Sequence, residues 1–306
     1  MPDRSETGLA GMTIRDRLLD PGLTLTPAER KLARAILANY PVTGLGTVAS
    51  LAGRAKVSDP TVVRFTSKLG FASFPSFQDA LLSEVEERLR SPLMLTGRQP
   101  AGAETHPSLA YAQGIVEVLA AGQARVQPGE FDRAVEALIG CKGRVLTIGG
   151  RFSGFLAGIL QAHLRQLRPG TVLLTGAAAD QIDQLVDIGP RDLLVVFDYR
   201  RYQADVVAFA RQAHERGARV LLFTDRWGSP VASCADIVLA ADVEAPSLFD
   251  TMAPALVQLE ALVSAMTERQ GTAALRRIEA FETVRATNRV TETDGREPDG
   301  GSGEAR

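Results

Sequence analysis

The chain has little of the chemistry from which metal centres and acid–base sites are built. Its 306 residues include two cysteines and three histidines. Neither Cys141 and Cys234 nor His106, His163 and His214 fall at ligand spacing, so no metal and no other cofactor is expected. The same scarcity excludes a disulfide framework. It points to a reduced, cytoplasmic setting with both thiols buried. Excess charge of one sign is also lacking. A net charge of −2 is not that of a polycation, so any affinity for nucleic acid must come from a local patch. No apolar run reaches the length of a membrane span, and no membrane partner is expected. The segment 1–11 is polar and charged, unlike a secretory signal.

What is present suits two domains, with 45% apolar residues to fill their cores. The boundaries expected are a helical region over 12–90, a Pro-, Gly- and Ala-rich linker over 91–107, an α/β region over 108–286 and a charged, disordered tail over 287–306. The sharpest signal lies at 47–70. Val48, Leu51 and Ala52 give a first helix a narrow apolar stripe, and Gly53 and Ala55 are small enough for a close helix crossing. Ser58 is placed to cap a second helix, with Asp59 at the positive end of its dipole and Pro60 in its first turn. Val62, Phe65 and Leu69 form its buried face. Thr61, Arg64, Ser67 and Lys68 are left outside, and Gly70 is a C-terminal stop. This is the outline of a helix-turn-helix, with Lys56, Ser58, Asp59, Thr61, Arg64, Ser67 and Lys68 as DNA-binding candidates. Arg54 adds to the basic patch. An ordinary helical hairpin with a solvated polar face has the same spacing.

The segment resembles the N-terminal domain of RpiR/MurR-type bacterial transcriptional regulators. The resemblance is carried by Leu25-Thr-Pro-Ala-Glu-Arg-Lys31, by Val57-Ser-Asp-Pro-Thr-Val-Val-Arg-Phe65 with Lys68-Leu-Gly-Phe71, and by Phe74-Pro-Ser-Phe-Gln-Asp79. From the residues themselves, Thr26, Pro27 and Glu29 form a capping box, and Phe71, Phe74 and Phe77 anchor a further helix.

From Arg144 the pattern changes to short apolar strands alternating with helices. The strands are read at 145–148, 171–174, 193–197, 219–223 and 237–239, with helices at 155–167, 181–186, 205–216 and from about 247 through 266. A doubly wound α/β domain with a five-stranded parallel sheet follows. This half resembles a sugar isomerase (SIS) domain, on the Gly-Gly-x-x-Ser turn ending at Ser153 and on Gly189-Pro-Arg-Asp-Leu-Leu-Val-Val-Phe197. Arg216-Gly-Ala-Arg-Val-Leu-Leu-Phe-Thr224 and Ser229-Pro-Val-Ala-Ser-Cys-Ala-Asp-Ile-Val-Leu239 also carry it. The resemblance implies a module that senses a ligand, commonly a phosphorylated sugar, and helps form dimers.

Ligands of open parallel sheets bind beyond the carboxyl ends of the strands. The candidate effector residues are therefore Gly149, Gly150, Arg151 and Ser153 after the first strand, Asp198, Tyr199, Arg200, Arg201 and Gln203 after the third, and Glu244 near a late strand end. The family's phosphate cradle is a Gly-x-Gly-(Ser/Thr)-Ser turn and a Ser-x-Ser-Gly-x-Thr loop. Here only Ser153 matches its hydroxyls. Arg151 replaces a glycine, and Asp198, Arg200, Arg201 and Gln203 replace Ser, Ser, Gly and Thr. Two readings stay open: an arginine clamp for an anion, or arginines paired with Asp198 or Glu244 in a site that has lost its ligand. Tyr199 and Tyr202 suit stacking on a ligand or burial against the sheet.

Three functions compete. The first is a ligand-responsive regulator that binds a palindromic double-stranded DNA operator as a homodimer or higher oligomer and senses a small anion. The second is a SIS-type isomerase or lyase, for which Glu244 is the one placed carboxylate, with no catalytic residue assigned. The third is a constitutive DNA-binding dimer. The dimer is expected through the C-terminal domain, with the long apolar helix that includes Leu256, Leu259, Leu262 and Val263 partly available for it, in competition with core burial.

Overall fold

The computed structural model describes residues 12–20, 22–38, 40–89, 106–123 and 127–290. Most of the expected linker and tail therefore lies outside the described residues.

The N-terminal region is helical, as its periodicity demands. Helix α1 (Ile14–Leu19) opens with a capping box in which Thr13 and Asp16 exchange hydrogen bonds. Helix α2 (Pro27–Ala38) has the box read from sequence: Glu29 N donates to Thr26 Oγ1 at 3.3 Å, and Thr26 N to Glu29 Oε2 at 2.8 Å. Helices α3 (Val48–Ala55), α4 (Asp59–Lys68) and α5 (Phe74–Leu89) follow. Leu32, Ile36, Leu51, Val62, Phe65, Phe77 and Leu81 are fully buried between them. Phe71 meets Phe77 edge-on with ring centroids 5.4 Å apart. Gly70 ends α4 with φ 91°, and Phe71 N reaches back to Thr66 O at 3.1 Å. One local expectation fails: a Cβ on Gly53 would meet nothing, because it lies on the exposed side of α3. Ala55, by contrast, is buried.

The second region begins with α6 (Pro107–Gln123) and α7 (Pro128–Gly140). Five parallel strands, β1 (Val145–Gly149), β2 (Thr171–Leu173), β3 (Leu193–Phe197), β4 (Arg219–Thr224) and β5 (Ile237–Ala240), pair in the order β2-β1-β3-β4-β5. The order reverses between β1 and β3, so the loops after those two strands flank the switch point. Helices α8 (Gly154–Leu167), α11 (Ala253–Gln270) and α12 (Thr272–Thr287) join α7 over one apolar face. Helix α10 (Ala204–Glu215) covers the other, and the short α9 (Ala178–Asp183) links β2 to β3.

Three expectations are corrected here. Helix α11 starts at Ala253 rather than near 247, because Thr251 N returns to Val243 O at 2.8 Å and closes the loop, with Pro254 in the first turn. Leu259 and Leu262 on it are fully buried, and Leu256 and Val263 pack on the same core, so these four residues serve the core, while Val257 on the same helix is exposed. The thiols of Cys141 and Cys234 are free but half-buried rather than buried.

Candidate DNA interface and effector site

Helix α4 presents the polar face read from sequence. Its N-cap is Ser58, whose hydroxyl bonds Thr61 Oγ1 at 2.8 Å rather than a backbone amide. Asp59 is exposed in the first turn. Lys56 adopts φ 54° and closes α3, its N–H turned back on Ala52 and Gly53 carbonyls, so its side chain projects from the turn between the helices. Arg54, Lys56 and Arg64 are exposed and have no ion pair among the described residues. Ser67 Oγ is turned back to Val63 O at 3.2 Å. Lys68 is the exception to the free basic patch. Its Nζ lies 2.8 Å from Glu29 Oε2, which binds α4 to the capping box of α2. That ammonium is the main cause holding the Glu29 carboxyl below its ordinary value.

At the sheet's carboxyl ends the two candidate loops are zipped to each other. Ser153 Oγ donates to Phe197 O at 2.6 Å and accepts from Gly150 N at 2.8 Å, so its hydroxyl is spent on the turn. Arg151 N donates to Gln203 Oε1. A Cβ on Gly149 would stand 2.7 Å from the 153–154 backbone, which explains the glycine there. A Cβ on Gly150 would stand 2.8 Å from Gln203 Oε1. Asp198 is buried; it accepts from Gln203 N at 3.3 Å and from Ser229 Oγ. Tyr199 is buried, and burial lifts its phenol far above the ordinary range. Tyr202 donates to Asp225 Oδ1 at 2.7 Å. Tyr199 is thus buried against the sheet, and Tyr202 is half-buried.

The arginines divide. Arg200 is drawn inward and bonds Asp250 through Nε, at 2.9 Å, and Nη2. Its guanidinium also lies 5.4 Å from the Trp227 ring centre. Arg151 and Arg201 are exposed and have no ion pair among the described residues; Arg151 rests on Phe152 with 5.0 Å to the ring centre. Arg201, which stands where the family motif has a glycine, has φ 64°, in the left-handed region. A non-glycine residue holds that conformation at a cost of about 1–2 kcal/mol. Glu244 is half-buried with Arg226 Nη1 at 3.8 Å, and burial lifts its carboxyl against that charge.

Four residues of this cluster escaped the sequence reading: Asp225, Arg226, Trp227 and Asp250. The first three belong to the Asp-x-x-Gly turn that follows β4, and that position was the available signal. Asp250 lies in a loop whose path the sequence pattern does not reveal.

The comparisons with known proteins match this two-part layout. Residues 12–88 fit the family model "Helix-turn-helix domain, rpiR family", and residues 138–265 fit the SIS domain model. The transcriptional regulator HexR of Pseudomonas aeruginosa is 29% identical over 254 residues, covering 81% of this chain and 86% of that protein. An uncharacterized HTH-type transcriptional regulator of Thermotoga maritima is 26% identical over 257 residues, with 81% and 88% covered. The sugar isomerase domain of an RpiR transcription factor from Sphaerobacter thermophilus superposes with a TM-score of 0.55 at 26% identity, covering 58% of this chain and 99% of that one. The Vibrio vulnificus NanR protein, solved with ManNAc-6P, has a TM-score of 0.53 at 19% identity, covers 92% of this chain and 100% of its own, and so shares the fold. Among the described residues no helix is long and apolar enough to cross a membrane. The chain thus carries a helix-turn-helix domain of the rpiR type followed by a SIS domain.

Proposed function

We propose that the protein is a cytoplasmic, non-enzymatic regulator that binds a palindromic operator as a homodimer or higher oligomer and reads a small anionic metabolite through its SIS domain. The exposed face of α4 carries this reading, with Arg64 solvent-facing and without an ion pair among the described residues beside Thr61 and Lys56. Arg64 is the base-reading residue, and Lys56 and Lys68 are phosphate contacts. Lys68 must then leave or share Glu29 when it meets DNA.

For the effector, Arg151 and Arg201 supply two exposed guanidiniums at the switch point. The strained backbone of Arg201 supports a functional loop. NanR was solved with ManNAc-6P, so a sugar phosphate is the first class to test, and a carboxylate suits the planar arginine fork as well. A second reading, a SIS domain without ligand, is favoured by Ser153 and Arg200 being committed to protein partners. The isomerase reading rests on Glu244, whose nearest ion-pair partner is Arg226.

The dimer interface is reassigned from α11. Helix α6 is apolar yet has no buried residue, with Leu109, Tyr111 and Val116 exposed, and Phe152, Phe155 and Ile159 form an exposed stripe at the start of α8. Two heads on one symmetric site multiply the affinity of each. Titrating sugar phosphates and dicarboxylates against an operator complex, while assaying the same compounds for turnover, separates the three readings.

A further inference from the structure

The loops after β3 and β4, at the strand ends that sequence assigns to an effector, touch the DNA-binding domain. Arg200 Nη1 donates to Glu87 O at 3.2 Å, a bond from the loop after β3 into the last turn of α5. Carbonyls in a helix's last turn have no intrahelical partner and sit at the negative end of the dipole, so a guanidinium is a suitable cap. From the other side, Arg15 of α1 lies on the turn after β4. A Cβ on Gly228 would stand 2.8 Å from its Cζ, and Gly228 has φ 75°. Burial pulls the Arg15 guanidinium below its ordinary value, while Asp225 and Tyr202 of the SIS domain oppose that. Arg226 likewise acts on the half-buried Glu84 of α5.

Arg200 is thus held by three partners of unequal strength. Asp250 is a carboxylate engaged through two nitrogens, and Trp227 offers a ring face. The third partner, the only one of these on the DNA-binding domain, is a neutral carbonyl. Hydrogen bonds to ionised acceptors are about twice as strong as those to neutral ones. An anion reaching Nη1 therefore outcompetes Glu87 O while leaving the Asp250 pair in place. Two buried donors, Tyr199 OH and Trp227 Nε1, have no hydrogen-bond partner among the described residues.

We propose that Arg200 is the latch between the two domains, and that an anionic effector signals by taking its guanidinium from the α5 carbonyl, which frees the DNA-binding head from the strand ends. The inference rests on the sensor reading, but its test needs no DNA.

Hydrogen exchange on the full chain measures it. In Arg200→Gln, amides in the last turn of α5 and in α1 are expected to exchange roughly tenfold faster, the effect of losing one hydrogen bond to a charged group. Amides of β1 and β3 report any global loss of stability from breaking the Asp250 pair, and the α5 and α1 change is read as the excess over theirs. In the wild-type protein, millimolar inorganic phosphate is expected to accelerate the same α5 and α1 amides relative to chloride of matched ionic strength, and to do nothing further in Arg200→Gln. Unchanged exchange of α5 in a folded Arg200→Gln protein overturns the latch. A phosphate effect that is absent from the wild type, or that persists in the variant, overturns the release step. The phosphate arm also covers the case in which the variant fails to fold. Failure of either arm leaves operator binding by α4 intact.

Discussion

Arg200 and Asp250 stand fifty residues apart in sequence and meet across the carboxyl end of the sheet, with Nε 2.9 Å from Oδ2 and Nη2 on Oδ1. The Arg200 side chain is 7% exposed. Removing one partner of such a pair strands the other charge. Asp250→Ala is therefore expected to lower stability by about 3 kcal/mol. The double variant Arg200→Gln, Asp250→Asn should recover part of that loss. Urea unfolding of the two variants checks both statements, and equal losses would mean that the pair is not coupled.

Ser153 was expected to serve a ligand, and its geometry gives it a structural task. Ser153→Ala leaves Phe197 O and Gly150 N without the hydroxyl they share. The expected cost is about 1–3 kcal/mol in the absence of any effector. A variant as stable as the wild type in urea would return Ser153 to the ligand site.

Two carboxyls give opposite pH dependences. The Glu29 pKa is depressed, first by its bond to Lys68. Its stabilisation is present above the ordinary glutamate value of about 4.3 and is lost as pH falls through the lower folded value. The Glu84 pKa is raised by burial, against the hydrogen bonds it accepts from Tyr40 and from Ile14 N. Its contribution is full below the ordinary value and declines as pH rises through the raised one. Thermal melts over an acidic pH series should show Glu29→Gln losing less stability toward acid than the wild type. Glu84→Gln should lose less as pH rises. The reverse assignment would contradict the pairing described.

Much of this fold was legible because its signals are local. Runs such as Leu193–Phe197 read as buried parallel strands, and the capping residues Thr26 and Glu29 fixed the start of a helix. The general rule that ligands of open parallel sheets bind beyond the carboxyl ends of the strands then pointed to the two candidate loops. What stayed hidden depends on contacts between distant segments. The apolar stripe of α11 suits an interface or a core, and only packing against α7 and α8 decides for the core. The charge of Lys68 reads as free until α2 brings Glu29 beside it. The sequence pattern offers Asp198 and Glu244 as partners for Arg200, but the loop closed by Thr251 and Val243 supplies Asp250 instead. The positive φ of 64° at Arg201 was not legible either, because an arginine gives no sequence signal for a left-handed backbone.

The oligomer is testable without DNA. Sedimentation at micromolar concentration is expected to give a dimer or larger species, and charged substitutions at Leu109 and Val116 on α6 should shift it toward monomer. A wild-type monomer would remove the two-headed operator from the proposal.

The central claim is that α4 reads DNA, and the most direct measurement is the affinity of Arg64→Ala for a duplex selected by the wild-type protein from genomic fragments. The expected loss is about 1–3 kcal/mol with the circular dichroism spectrum unchanged, together with relaxed preference at the position Arg64 contacts. Lys56→Ala should instead weaken binding evenly across sequences and lower the salt slope by about one. A folded Arg64→Ala protein that binds the selected duplex as tightly and as selectively as the wild type would contradict the assignment of this helix.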